Sequence, residues 1–222
     1  MILTKNIKEF CAERKAILKT TIENNFPDFV KKPTLAVFQI GDVEASTRYI
    51  RNKKKDCEEV GINFEWYYYP EEITTKELIQ EIKDMNDYVD GLIIQMPLPD
   101  HIDLTAIKLA IDPKKDVDGF HPMSRFEPCT PFGIVKYLID ECDYNFTGKN
   151  VTIFGHRDRD VTPVPDDVEL LTRVALLENT VLAAQMRREE DEFIPCRSAD
   201  HQCTFDCIKF AEGALQGTWK PD

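Results

Sequence analysis

The sequence of 222 residues predicts an α/β protein with a mainly parallel sheet built from βαβ units. Two observations support this fold class. Short, continuous apolar runs alternate along the chain with longer segments in which apolar residues recur at helical spacing. Parallel strands need long crossover connections, and helices provide them, so this order indicates helices on both faces of the sheet.

The first half of the chain contains two predicted helices and two predicted strands. The turn at Gly41-Asp42 ends the first strand, and Gly61 is suited to a left-handed cap at the end of the second helix. In order, these elements are a helix over 5–26, a strand over 34–40, a helix over 45–60 and an aromatic-rich strand over 62–69.

The alternation continues in the second half. Thr74 or Thr75 provides an N-cap, Pro97 and Pro99 end a third strand, and Pro131 suits the first turn of a helix. In order, these elements are a helix over 74–86, a strand over 91–96, helices over 104–111 and 131–138, a strand over 151–155 and a helix over 166–193.

Composition excludes several classes of function. With 28 basic against 40 acidic residues the formal charge is −12, which argues against nonspecific binding of nucleic acid. No apolar run reaches the roughly 18–20 residues of a membrane span, and the N-terminus lacks the apolar region of a signal peptide. Seven scattered cysteines indicate reduced thiols, so we expect a cytoplasmic protein without a membrane partner.

A first candidate site lies on the helix after the first strand. Ser46, Tyr49 and Lys53 share one face of this helix, and ligands of parallel sheets bind at the carboxyl ends of the strands. A Tyr and a Lys one turn apart can hold an aromatic substrate and move a proton, provided that the pKa of the Lys is lowered. Alternatively, Lys53 is an ordinary surface residue of the run Lys53-Lys54-Lys55.

Three further clusters follow the other strands. Gln95 can bind a ligand or a catalytic group, or it is simply solvated. Asp116 and Asp118 offer a paired acceptor for a ring N–H and an amino group, but metal binding and Asx-turn chemistry are alternatives. Cys129 lacks a nameable His or Asn partner, so we interpret it as structural or as lining a site.

Together these clusters resemble the bifunctional methylenetetrahydrofolate dehydrogenase/methenyltetrahydrofolate cyclohydrolase family. Several multi-residue matches in one order are more specific than any single match, and they extend from the N-terminal helix to about Gly155. The matching segments are Gly41-Asp42 with Ala45-Ser46, Tyr49 with Lys53, Glu58-Glu59-Val60-Gly61-Ile62, Gln95-Met96-Pro97-Leu98-Pro99, Lys115-Asp116-Val117-Asp118-Gly119, and Pro128-Cys129-Thr130-Pro131 with Gly133.

The resemblance implies a folate site and a role for each matching residue. Lys53 would be the catalytic proton-transfer residue, and Gln95 would contact it and keep part of its population neutral. Tyr49 would pack on the folate, and Asp118 would bind its pterin ring. The implied substrate-binding set is Ser46, Tyr49, Pro99 and Asp118, and the implied catalytic set is Lys53, Tyr49 and Gln95.

The resemblance also implies two domains, a folate-binding catalytic domain over 1–145 and a shortened or divergent Rossmann-like segment over 146–222. NADP or NAD would bind at Gly155, His156 and Arg157. The family's Gly-Arg-Ser turn is altered there, and Val161 replaces a Gly whose backbone approaches the phosphates. Neither the family's late Gly-rich motif nor its C-terminal segment, which returns to the first domain, can be recognised in the sequence.

Residues 166–193 are instead predicted to form one long acidic helix, with eight acidic residues against three Arg. Its apolar stripe faces either the core or a partner, although residues 179–183 alternatively form a strand. The stripe consists of Val168, Leu171, Val174, Leu177, Val181 and Ala184. Cys196, His201, Cys203 and Cys207 follow no zinc-site spacing, so no metal is expected.

Three hypotheses follow for the function. The first is a cytoplasmic homodimer that acts on tetrahydrofolate derivatives. It oxidises methylenetetrahydrofolate to methenyltetrahydrofolate with NADP or NAD and hydrolyses the product to formyltetrahydrofolate. The second is a cyclohydrolase that needs no nicotinamide cofactor. The third is a non-catalytic folate-binding or regulatory protein whose acidic helix contacts a partner.

Overall fold

The computed structural model describes residues 6–148 and 166–192, and it confirms the α/β class with a parallel sheet. Within these residues three strands form one sheet in the order β2-β1-β3. The strands are β1 (Thr34–Ile40), β2 (Asn63–Tyr69) and β3 (Gly91–Ile94). The helices are α1 (Ile7–Asn25), α2 (Glu44–Val60), α3 (Thr75–Asn86), α4 (Leu104–Ala110), α5 (Cys129–Asp140) and α6 (Asp166–Glu192).

Strand β1 is the centre of the sheet, and all seven of its residues are buried. It pairs in parallel with β2, Thr34 opposite Asn63, and with β3, Leu35 opposite Gly91. A strand covered on both faces has no solvent-facing side, so its sequence is continuously apolar instead of alternating.

Helices cover both faces of the sheet. Leu35 and Val37 of β1 point into one apolar cluster, and Ala36 and Phe38 point into the other. The first cluster is completed mainly by α1, α2 and α6, with Ile22, Ile50, Cys57, Leu177 and Val181 among its members. The second is completed mainly by α3 and α4, with Leu78, Ile82 and Ile107.

The observed elements differ from the predicted ones mainly at their ends. Thr74, not Thr75, is the N-cap of α3, where it forms a capping box with Glu77. Helix α5 begins at Cys129, two residues before the predicted start at Pro131. Strand β3 ends at Ile94, although the N–H of Gln95 still donates to the carbonyl of Phe38 at 2.8 Å. The predicted strand over 151–155 lies outside the described residues.

The long helix α6 is continuous, which excludes the alternative strand over 179–183. Of the predicted stripe, Leu171, Val174, Leu177, Val181 and Ala184 are all buried. They pack in the clusters that also hold residues of α1, α2 and β1, so the stripe faces the core of the first lobe. Of the two predicted locations of the stripe, core or partner, the structure shows the core, and the sequence had not revealed this return to the first lobe.

Contacts divide the chain into two compact units, residues 1–187 and 188–222. Most of α6 belongs to the first unit, and only its last residues, 188–192, are described in the second. The predicted boundary between residues 145 and 146 stays a prediction. None of the described helices is both long and apolar enough to cross a membrane.

Candidate active site

The candidate site lies at the carboxyl end of the sheet, where α2 passes the end of β3. The amine of Lys53, on α2, donates to Oε1 of Gln95 over 2.8 Å. Gln95 follows β3 directly, and its Nε2 donates to the carbonyl of Met96 over 3.0 Å. Because that contact fixes which end of the amide is the donor, Oε1 faces the amine.

Burial lowers the pKa of Lys53. Desolvation around the amine disfavours its charged form, and the residue as a whole is half-buried. The nearby carboxylate of Asp118 acts in the opposite direction and raises that pKa. The acceptor supplied by Gln95 is neutral, so it orients the amine without adding a full negative charge.

Asp118 interacts electrostatically with Lys53. Burial raises the pKa of the Asp118 carboxyl, and the Lys53 amine lowers it. The neighbouring carboxylate of Asp116 raises it further. The site thus holds an amine and a carboxyl whose ionisation burial disfavours in both cases.

The loop that carries Asp118 is fixed by tight backbone contacts. Gly119 has a φ of +76°, and a Cβ at this position would lie 2.7 Å from the backbone of Pro128. Asp116 is fully buried, and its Oδ2 accepts from the N–H of His121 over 2.6 Å. Asp116 therefore fixes the loop through its contact with the His121 backbone, five residues further along the chain.

Cys129 lines this loop. Its buried thiol donates to the carbonyl of Val117 over 3.2 Å, and burial raises its pKa well above the usual range. A thiol that resists ionisation is a poor nucleophile, which supports the interpretation as a lining residue. The amide Nδ2 of Asn179 lies 3.6 Å from the Cys129 sulfur, a contact that does not activate the thiol as a nucleophile.

Ser46 and Pro99 complete the surroundings of Gln95. The hydroxyl of Ser46 donates to the carbonyl of Met96 over 3.1 Å, the same carbonyl that receives the Gln95 amide. Ser46 is therefore bound to the turn after β3, at a cis Met96-Pro97 peptide, and its contact is with that turn. Pro99 is half-buried in the same segment.

Tyr49 is half-buried, one turn before Lys53 on α2. The guanidinium carbon of Arg48 lies 5.7 Å from the centre of the Tyr49 ring. Helical spacing puts the Tyr49 ring on the same face as Ser46 and Lys53, as the sequence predicted. The site therefore combines an aromatic side chain, an amine of lowered pKa and a carboxyl group.

The predicted cofactor residues Gly155, His156 and Arg157 lie outside the described residues, as does the Cys/His cluster after residue 195. In the parts of the chain that the structure describes, no group of three or more His, Cys, Asp or Glu side chains could hold a metal ion. The contribution of α6 to the site was missed by sequence reasoning, because nothing near Asn179 signals a contact with residues about 60 positions away.

The motifs and this geometry agree with a comparison to known families. The model of the tetrahydrofolate dehydrogenase/cyclohydrolase catalytic domain matches residues 4–118, just over half of the chain. The chain belongs to this family. The resemblance recognised from the motifs is thereby confirmed.

Members of the tetrahydrofolate dehydrogenase/cyclohydrolase family match the chain over different lengths. The bifunctional protein FolD of Aquifex aeolicus is 34% identical over an alignment of 231 positions, gaps included, covering 97% of this chain and 78% of its own. The FolD proteins of Nautilia profundicola and Bacillus thuringiensis are 43% and 44% identical, but over only 55% of this chain. The chain spans about half the length of these two relatives, 47% and 46%.

Solved structures of the family have the same fold. FolD from Campylobacter jejuni superposes with a TM-score of 0.68 at 26% identity, over 82% of this chain and 98% of its own. A 5,10-methylenetetrahydrofolate dehydrogenase from the silkworm, Bombyx mori, gives a TM-score of 0.71 at 22% identity, over 83% of this chain and 98% of its own. At that identity the silkworm structure supports the fold alone.

Proposed function

We propose that this protein is a methenyltetrahydrofolate cyclohydrolase in which Lys53 transfers the protons. The observation that carries the proposal is the 2.8 Å contact between the Lys53 amine and the Gln95 amide oxygen. A Lys whose pKa is lowered by burial accepts and donates a proton at lower pH than an ordinary surface Lys.

The proposed reaction uses both protonation states of Lys53. As the oxygen of water bonds to the methenyl carbon, the neutral amine accepts a proton from that water. The ammonium then returns the proton to a ring nitrogen as its bond to the same carbon breaks. The remaining hydroxyl proton is released to solvent as the C=O bond forms, so the one-carbon unit ends as a formyl group on the other nitrogen, and Lys53 is neutral again.

The remaining residues would bind and orient the folate. Asp118 offers its carboxyl oxygens to an N–H and an amino group of the pterin ring, a paired contact that fixes the ring plane. Tyr49 packs on the folate one helical turn from Lys53. Ser46 and Pro99 shape the turn after β3 that bounds the substrate. Such alignment of the reacting carbon with Lys53 and water would supply part of the rate enhancement.

NADP- or NAD-dependent oxidation of methylenetetrahydrofolate is a second candidate activity. It is favoured by the 34% identity to a bifunctional FolD over nearly the whole chain. The structure from Trypanosoma brucei, named as a dehydrogenase-cyclohydrolase complexed with NADP and an inhibitor, shows only that this relative binds the cofactor. Gly155, His156 and Arg157 would be the cofactor residues of this chain.

The connection between α5 and α6 argues for the hydrolase as the main activity. It comprises residues 141–165, fewer than the roughly 30 residues that one βαβ unit takes. A doubly wound dinucleotide domain needs two larger βαβαβ halves, and α6 has already returned to the first lobe. Gly155, His156 and Arg157 lie outside the described residues, so no hydride-transfer step is assigned to side chains here.

A homodimer is part of the proposal. Strand β2 is an edge of the described sheet, and its aromatic side chains Trp66 and Tyr68 are 36% and 57% exposed. An exposed aromatic edge strand is a surface on which a second copy can add to the sheet.

The first experiment is an absorbance assay of methenyltetrahydrofolate hydrolysis by the purified chain. We expect turnover in the wild-type protein, none in Lys53→Ala, and wild-type rates in Lys54→Ala. Lys54 is a matched control because it is the next residue of α2 but is solvent-exposed and pairs only loosely with Glu58, at 3.8 Å. Equal rates in the Lys53 and Lys54 variants would refute the mechanism.

The same preparation then tests the second candidate with methylenetetrahydrofolate and NADP or NAD. Hydrolysis without reduction of either nucleotide supports the cofactor-free enzyme. Reduction as well as hydrolysis supports the bifunctional one. A folded wild-type chain that does neither would contradict both and leave the folate-binding protein as the function.

A further inference from the structure

Asn179, near the middle of α6, contacts the loop that carries Asp118. The side chain is 5% exposed, and its Nδ2 donates to the carbonyls of Val117 at 2.9 Å and Glu127 at 3.3 Å. The same nitrogen lies 3.6 Å from the Cys129 sulfur. One amide group therefore contacts three residues of the wall of the site, Val117, Glu127 and Cys129.

These partners belong to the two arms of one loop. Val117 directly precedes Asp118, while Glu127 and Cys129 lie at the start of α5. The arms are in close contact, since Gly119 leaves no room for a Cβ beside Pro128. The Asn179 amide thus joins both arms of the loop next to Asp118.

Two other contacts hold α6 against α5, so the position of Asn179 is itself fixed. A Cβ on Gly133 would lie 2.6 Å from the carbonyl oxygen of Leu171, which shows how closely the two helices approach. The hydroxyls of Thr172 and Thr130 are 3.0 Å apart. A helix held at these points presents the amide to the loop in one place.

We infer that Asn179 is a positioning residue that holds Asp118 for binding of the folate ring. This inference rests on the proposed function. Without the amide, the Glu127 carbonyl loses its Asn179 donor, and the buried Val117 carbonyl keeps only the weak Cys129 thiol. The loss of a donor at a buried carbonyl is costly, so the arms move apart and Asp118 shifts. Lys53 and Gln95 lie on α2 and after β3, and their contact does not depend on Asn179.

The test compares three variants in the hydrolysis assay. Asn179→Leu removes the amide and keeps a side chain of similar size. Asn179→Ser is used if that variant folds poorly, because its smaller hydroxyl cannot bridge both arms of the loop. Thr180→Val is the matched control, because Thr180 is equally buried on α6 but its hydroxyl donates only within the helix, to Leu176 at 2.8 Å. We expect KM to rise about tenfold in the Asn179 variants, with a smaller change in kcat and none in the control.

Amide hydrogen exchange of residues 116–119 provides a second measurement that does not require turnover. We expect faster exchange there in the Asn179 variants and wild-type exchange in Thr180→Val. If the wild-type chain does not hydrolyse methenyltetrahydrofolate but residues 116–119 still exchange faster in the Asn179 variants, the positioning role is supported and the proposed function is refuted. Unchanged exchange and KM, or equal effects in the control, would overturn the inference. A loss of kcat alone at constant KM would also overturn it.

Discussion

The amine of Lys53 is paired with the uncharged amide oxygen of Gln95, 2.8 Å away, while the carboxyl of Asp118 contributes a charge to the same surroundings. This combination orients the amine without fixing it in the ammonium form. A carboxylate in place of the amide would hold the proton on Lys53. The choice of an amide at residue 95 therefore matters for any reaction in which Lys53 must both accept and donate a proton.

Replacing Gln95 tests this relationship directly. In Gln95→Glu the added carboxylate raises the pKa of Lys53, so less of the amine is neutral at pH 7. We expect the rate of hydrolysis to fall about tenfold or more. The limb of the pH profile on which the rate rises with pH should move to higher pH. The measurement is kcat/KM for methenyltetrahydrofolate across pH.

Gln80→Glu is the control, since it makes the same chemical change at an exposed residue of α3 that contacts Asp84. Its profile should match that of the wild-type protein. An unshifted profile in Gln95→Glu would mean that Lys53 is not the titrating group.

Asp118→Asn should affect binding and pH dependence together. The paired acceptor proposed for the pterin ring is lost in this variant, so we expect KM to rise about tenfold. Because Asp118 raises the pKa of Lys53, removing its charge lowers that pKa, and the rising limb should move to lower pH. Asp87→Asn, at the exposed end of α3, is the control for the loss of one charge. A limb that moved upward would contradict the assignment.

Gly119→Ala should lower the free energy of unfolding by more than the cost of an Ala at a positive φ angle. An Ala at φ +76° costs about 1–2 kcal/mol, and the clash with the Pro128 backbone adds a similar amount. Gly148→Ala separates the two effects, because Gly148 has a φ of +70° with no atom within 4 Å of a Cβ. Urea denaturation should show the larger loss for Gly119. Equal losses would mean that the loop yields without strain.

The attachment of α6 can be tested at its other end. Arg187 pairs with Asp90, a fully buried carboxylate, at 2.5 Å, and the second Asp90 oxygen accepts from the N–H of Thr34 at 2.9 Å. Arg187→Met leaves a buried charge without this partner, so the free energy of unfolding should fall by roughly 3 kcal/mol. Adding Asp90→Asn removes the charge, and the double variant should recover part of the loss. A double variant less stable than the single one would argue against this account.

Local sequence patterns were sufficient to predict most of the helices and strands. The apolar run of β1, the capping residue Thr74 and the left-handed Gly61 act over a few residues, and their signals can be read without knowing the fold. The errors lie at the ends of elements such as β3, where the hydrogen bonds to the neighbouring strand stop gradually and the boundary is poorly defined. The family resemblance added the association of Lys53 with Gln95, which periodicity alone left open.

The α/β class, the alternation of elements and the residue types proposed for proton transfer and ring binding can all be read from local sequence. The return of α6 to the first lobe and the contact of Asn179 with the Asp118 loop are visible only in the folded chain. The physical reason is the range of the interactions. Helical periodicity is written in neighbouring residues, whereas the Asn179 contacts join residues more than 50 positions apart. An apolar stripe predicts that one face of a helix is buried. Which element that face packs against depends on the shape of the surfaces that meet in the folded protein.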